Sequence, residues 1–341
     1  MLRFGPRALC LGSLLFISSA RATDQALVDA AKKEGEVTWY TTLTIDQLAR
    51  PLAEAFEKKY GIKVNVNRTD SAGVALRLHN EMQAGRVVAD VVDGSSGTLA
   101  LKSEGALMKW VPDSAKRFPK VLVDPDGYWT AHQLLVLTPA YNTESVPKTD
   151  VPKTWEDLLD PRWKGRMVWS SNVSTSAGAG FVGLVLAERG DESGMAYLRR
   201  LATQNITGLL ISGHSVVDEV VAGEYAIGLQ VFNDTAVFRR RQNAPVDWIA
   251  INPALAVTSV ISVAERAPHP NAAKLFVDFD VGPEGQAIER DNDYVPADPD
   301  IAPRDPYVRP DGQVFRAIYM TPETIAKELP KWMQTYDELF R

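Results

Sequence analysis

Beyond residue 22 this 341-residue chain has no cysteine; the only one is Cys10. That excludes disulfides, thiolate catalysis and cysteine metal sites from everything after the N-terminal segment. Histidine is scarce as well. His79, His132, His214 and His269 stand far apart, without the H-E-x-x-H spacing of a metal helix. There is no basic excess: 37 Lys and Arg face 43 Asp and Glu, and Arg3, Arg7 and Arg21 fall within the N-terminal segment. The balance disfavours nucleic acid and anionic membrane as partners. It does not disfavour a small anion, because charges more than about 8–10 Å away are screened. The apolar run 8–18 is too short to span a bilayer. With Arg3 and Arg7 before it and A-x-A at 20–22, it predicts a secretory signal peptide over 1–22 and export. An exported chain without disulfides must rest on a large core, and this length allows two domains.

What is present alternates strand and helix. VTWY (37–40) is β-branched and aromatic, a strand; 62–67 alternates apolar and polar with period two; ADVV (89–92) is a third strand. Helical spacing at Leu48, Leu52, Ala55 and Phe56, and again over 74–84, separates them. This β-α-β-α-β order with short connections predicts an open, mostly parallel sheet. LLVL (134–137) reads as a strand ending at Thr138-Pro139. A second α/β unit begins at RMVW (166–169), with helices over 180–188, 194–202 and 216–222 and strands over 208–211 and 225–230. Returning strands follow over 249–251 and 257–263, then helices over 272–279 and 322–339. Open parallel sheets bind ligands beyond the carboxyl ends of their strands.

The stretch SSNVSTSAGAGFVGLVLAE (170–188) carries a literal G-x-G-x-x-G at Gly178, Gly180 and Gly183. As a dinucleotide fingerprint it fails twice. Residues 170–177 separate strand from first glycine, and no acid stands about 20 residues on. Capping explains one hydroxyl at the helix start, but five occur between 170 and 176. Small residues admit a ligand to the backbone, and free amides at a helix start donate to an anion. Cap and cradle both remain open; the cradle reading takes Ser174, Thr175, Ser176, Ala177 and Gly178 as ligand contacts. Other strand ends have the same character: Tyr40, Thr41 and Thr42 after the first, Arg68 and Ser71 after the second, Ser95 and Ser96 after the third. Each alone is an ordinary turn; together they point to a polar ligand. Gly213-His214-Ser215 starts like a nucleophile elbow, but Val217 replaces the closing glycine. The tryptophans read mostly as core, with Trp39 and Trp129 as alternatives for lining a cleft.

In order along the chain, EVTWY (36–40), RTDSAG (68–73), ADVV (89–92), AYNT (140–143), PKTWEDL (152–158), DPRWKG (160–165), GEYAIG (223–228) and PHPNAA (268–273) resemble the periplasmic solute-binding proteins of ABC transporters. The likeness is to the ferric-iron-binding branch and its relatives for phosphonates and phosphorylated compounds. The resemblance implies an α/β, two-lobe periplasmic-binding-protein type II fold, each lobe a mostly parallel sheet flanked by helices, hinged by crossover strands. Lobe 1 is expected over 23–133 with 255–300, and lobe 2 over 134–254 with 301–341. It further implies a monomer without enzymatic activity or cofactor, which closes on a small anionic ligand and is presented to an ABC permease in the inner membrane. In the iron branch adjacent tyrosines follow the strand after the G-E-Y-A turn. Here that place reads Gln230-Val231-Phe232-Asn233-Asp234, so no metal site is expected. Asn233 and Asp234 suit hydroxyls or an amine of an organic ligand. The alternatives are ferric iron held with a synergistic anion and, in another class, a secreted hydrolase.

Overall fold

Short βαβ connections force successive strands to run parallel, and β1 (Glu36–Thr41), β2 (Lys63–Arg68) and β3 (Val91–Gly94) do so, with β1 in the middle. The structure is a computed structural model that describes residues 25–341 except 96, 173, 175, 176 and 311–314. The signal-peptide segment, Ser96, Thr175 and Ser176 therefore lie outside the described residues. Helix α1 (Gln25–Glu34) precedes β1. Helices α2 (Arg50–Tyr60) and α3 (Ser71–Gln83) make the crossovers, and α4 (Thr98–Ser103) follows β3. Gly61 ends α2 in the left-handed region, at φ 71°, with its N–H donating to the Glu57 carbonyl.

The expected strand over 134–137 is longer: β4 runs Thr130–Asn142 straight through Pro139. Proline has no N–H for the ladder, and the register shifts between Thr138 and Ala140; the Pro139 carbonyl still accepts from Ile249 N–H at 2.7 Å. The second unit follows as β5 (Met167–Ser170), α5 (Gly178–Ala202), β6 (Thr207–Leu209), α6 (Gly213–Val221), β7 (Ile227–Phe232), α7 (Asn233–Arg241) and β8 (Val246–Trp248). Gly190 breaks α5 at φ 74°, ψ 171°, which gives the two helices read from the sequence. Then come β9 (Ala254–Val263), α8 (Pro270–Asp280), α9 (Pro283–Asp291), β10 (Ala317–Met320) and α10 (Pro322–Phe340). The expected return strand over 249–251 lies instead at β8. Helices α7 and α9 were not anticipated.

The strands form one ladder in the order β2-β1-β3-β9-β4-β7-β5-β6, with β10 beside β9 and β8 beside β4. β4 and β9 pair antiparallel from Thr130↔Ile261 to Leu137↔Leu255 and are the two strands that cross between the halves. Each half has its own apolar core. The first gathers Trp39, Leu52, Phe56, Leu134, Leu275 and Phe276; the second gathers Trp155, Trp169, Phe181, Leu198, Trp332 and Tyr336. Val308 and Phe315 pack in the first core and Met320 in the second. Trp39 and Trp129 are buried; their indole N–H groups donate to Asp93 and Glu323 and take no part in a cleft. Among the described residues no helix is long and apolar enough to cross a membrane.

Candidate functional site

The carboxyl ends of six strands from both halves face one cavity of about 510 Å³. Thr42 and Thr44 follow β1, Arg68 to Ala72 join β2 to α3, and Ser95 follows β3. Across the gap, Asn172 and Ser174 follow β5, Ser212, Gly213 and His214 join β6 to α6, and Phe232 ends β7. The crossing strands supply the floor: Gln133, Leu135 and Leu137 from β4, Val257 and Ser259 from β9. The volume suits a small molecule, and this placement is what open α/β sheets dictate.

Two helices begin at the cavity wall, one in each half. Asp70 caps α3, its Oδ1 accepting from Gly73 N–H at 2.7 Å. Ser212 caps α6, its Oγ accepting from Ser215 N–H at 3.1 Å. The positive ends of both helix dipoles therefore point into the gap, each contributing about 0.3–1 kcal/mol towards an anion. Arg68 is the only Lys or Arg among the lining residues; its side chain is exposed and makes no ion pair among the described residues. His214 stacks on Phe232, with ring centroids 4.2 Å apart and an interplanar angle of 20°, and its Nδ1 lies 2.8 Å from Thr235 Oγ1. Loss of hydration, helped by the charge of Arg68, pushes the imidazole down to about 4. At neutral pH it is an uncharged hydrogen-bonding wall.

Of the residues expected from the sequence, Thr42, Arg68, Ser71, Ser95 and Ser174 line the cavity. Ser71 Oγ accepts from Ser95 N–H at 3.1 Å and ties two of these loops together. Thr42 donates both its N–H and its hydroxyl to Asp93 Oδ1, at 2.8 and 2.7 Å, so it offers a ligand only an acceptor.

Six expected contacts are elsewhere. Tyr40 is buried beneath Arg77, 4.0 Å from ring to guanidinium, and its hydroxyl donates to Glu81 at 2.6 Å. Strand alternation turns it away from the cleft. Thr41 is fully buried, with Oγ1 accepting from Leu43 N–H at 3.0 Å. Ala177 and Gly178 are buried, and a Cβ on Gly178 would come within 2.3 Å of the Tyr336 ring. Asn233 and Asp234 begin α7, which turns them into protein. Asn233 Nδ2 donates to the Val308 carbonyl at 2.8 Å, and Asp234 Oδ1 accepts from Thr235 N–H at 2.5 Å.

Burial pushes the Asp234 carboxyl up from 3.8 to about 6, against the opposing Thr235 bonds. A carboxyl raised on folding keeps its proton longer in the native state, so stability falls as pH climbs from about 4 to about 6 and stays lower above. Asp234→Asn is therefore expected to raise the melting temperature near pH 7.5, by about 2–3 kcal/mol of stability, and to lose that advantage near pH 4. Calorimetry at the two pH values checks this; an equal gain at both would overturn it.

The sequence reading missed Ser212 to His214, Gln133, Ser259 and Asn172. A signal for the first was available: Ser212 precedes a periodic apolar run just after a strand, the same cap-after-strand pattern that drew attention to 170–178.

The family described as bacterial extracellular solute-binding protein matches residues 89–316. Iron uptake protein A1 of Synechocystis sp. is 24% identical over 305 residues, covering 83% of this chain and 81% of that protein. A periplasmic protein of Salmonella typhimurium named for 2-aminoethylphosphonate binding is 25% identical over 289 residues, covering 82% of this chain and 80% of that one. Among solved structures, the periplasmic binding protein AfuA of Actinobacillus pleuropneumoniae, with exogenous fructose-6-phosphate bound, superposes with a TM-score of 0.73 at 20% identity, over 89% of this chain and 98% of that one.

Proposed function

We propose, from the premise that this chain belongs to the bacterial extracellular solute-binding protein family, that it serves an ABC uptake transporter by capturing a small organic anion between its two lobes. The ligand class is a phosphonate, phosphate ester or carboxylate. The observation that carries this reading is the lone cation of the cavity, Arg68, set opposite the start of α6 and beside the start of α3. Leu135, Leu137, Val257 and Phe232 would cover the organic part of the ligand. On this reading residues 1–22 direct export to the periplasm, and β4 and β9 bend as the hinge. Lobe 1 comprises 23–133 and 255–300, and lobe 2 comprises 134–254 and 301–341. The monomer, once closed, docks on an inner-membrane permease. Contacts made to both halves only in the closed form supply the differential affinity that shifts the population.

Ferric iron is the weaker reading. It needs several phenolate or carboxylate oxygens, and the lining offers Asp70, which already caps α3, and Tyr294, whose phenol burial holds protonated. The test is a thermal-shift screen of phosphonates, phosphate esters, carboxylates, polyamines and ferric iron. A ligand at about 100 times its Kd adds about 2.7 kcal/mol, which is expected to raise the melting temperature by about 5 °C or more for one organic anion, with a smaller radius of gyration in solution scattering. A response to ferric salt alone, with a visible charge-transfer band, or turnover of an ester panel, would sink the proposal.

A further inference from the structure

Behind the cavity floor three side chains from three elements converge in the first core: His132 on β4, Asp280 at the end of α8 and Glu289 on α9, all fully buried. His132 Nδ1 lies 3.0 Å from Asp280 Oδ2 and 3.7 Å from Glu289 Oε1, and one ligand atom from each lies within 4.8 Å of the others. Among the described residues no group lies within strict hydrogen-bonding geometry of either Glu289 oxygen or of Asp280 Oδ1. We infer that His132, Asp280 and Glu289 hold one divalent transition-metal ion of the zinc or manganese class, in a site separate from the ligand cleft.

Three features carry this beyond a cluster of acids. First, two ionised carboxylates sealed from water with open oxygens are strongly disfavoured unless a cation lies among them or one takes up a proton. A neutral imidazole, two carboxylates and a divalent ion sum to zero charge. Second, the spacing is close to what an ion demands. Bonds of about 2.0–2.2 Å place neighbouring ligand atoms roughly 3.0–3.5 Å apart, so small rotations of Glu289 suffice. Both carboxylates can turn bidentate and fill the sphere. Third, the imidazole is held from behind: His132 Nε2 lies 3.1 Å from Ser259 Oγ, which leaves Nδ1 facing the carboxylates. Such an outer partner is how metal-bound histidines are oriented. One imidazole with carboxylate oxygens suits borderline ions better than magnesium or calcium, which prefer oxygen alone. The nearby Asp93 is not a ligand, since Trp39 and Thr42 already occupy both its oxygens. An ion here would lock α8 and α9 onto the hinge strand β4, and through Ser259 it would sit one side chain from the cleft.

The test uses tag-free full-length protein stripped with a chelator, exposed to zinc or manganese salt, and gel-filtered before metal analysis and melting. One ion retained per chain and a higher melting temperature are expected. Glu289→Gln is expected to weaken retention at least about tenfold, in line with the loss of a ligand, and to abolish the metal-induced rise. Arg68→Ala should leave both intact, which separates this site from the cleft. No retained ion above background would overturn the proposal, as would Glu289→Gln binding like wild type, because then Glu289 holds a proton instead. Should that variant not fold, zinc X-ray absorption of the loaded wild type decides. One imidazole with oxygens is expected, and an all-oxygen shell overturns the assignment.

Discussion

Arg68→Ala is expected to weaken binding of the organic anion identified by the screen about 10- to 100-fold while leaving the melting temperature of the free protein almost unchanged. Both halves of this expectation follow from position. The side chain is exposed at the end of β2 and no ion pair among the described residues holds it, so its removal strips little from the fold. Towards a ligand it is the only full positive charge on the wall among the described residues. A hydrogen bond to a charged group is worth about 1.5–3 kcal/mol, and 1.4 kcal/mol is a factor of ten. The two helix starts contribute less, about 0.3–1 kcal/mol each, and Asp70 at the cap of α3 offsets part of that. On the proposed reading the arginine decides the ligand's charge. Arg68→Lys should fall between, since it keeps the charge and loses the planar fork. Titration calorimetry at two salt concentrations is the measurement. Affinity unchanged in Arg68→Ala would mean that the anion is held elsewhere or that the ligand is not an anion.

Chain periodicity made the architecture legible, and the fold is the two-lobe type II arrangement of periplasmic binding proteins. Period-two alternation at β2 and the apolar run in β4 are properties of a strand's own residues, so they could be read locally. The wall of the cleft was legible where backbone sets direction: residues at or just past a strand's carboxyl end enter the gap, as Thr42, Arg68, Ser71, Ser95 and Ser174 do. It was not legible where side-chain direction depends on the neighbouring element. Tyr40 and Thr41 stand two residues and one residue before Thr42, yet strand pleat and burial turn them into protein. Asn233 and Asp234 were misplaced because α7 was not foreseen. A segment rich in arginine, NDTAVFRRR, has little helical periodicity, and packing rather than pattern fixes it. Gln133 and Ser259 had no sequence signal at all, since what places them in the floor is the pairing of β4 with β9, a contact between distant parts of the chain.

Gly183→Ala is expected to destabilise the protein by about 2 kcal/mol or more, and Gly178→Ala by a similar amount, with ligand affinity of the folded fraction retained. The reason answers what the G-x-G-x-x-G over 178–183 is for. A methyl on Gly183 would lie 2.5 Å from Cδ2 of Trp332, and one on Gly178 2.3 Å from Cε2 of Tyr336. Both rings belong to α10 and are almost wholly buried against α5, where Tyr336 also meets Trp169 at 5.5 Å between centroids. Neither glycine has an unusual φ, so space rather than backbone freedom is what they provide. Overpacking a tight core costs about 1–3 kcal/mol and sometimes more. Alanine's better helix propensity returns at most about 1 kcal/mol, so the clash prevails. Had the glycines served close approach of a ligand to the backbone, the same substitutions would lower affinity and spare stability. Denaturant melts beside titration calorimetry separate the two roles. A cycle with Trp332→Leu sharpens the test: Gly183→Ala should cost markedly less when the indole is gone, because residues in contact are not additive. Independence of the two changes would show that Trp332 does not set the demand for glycine.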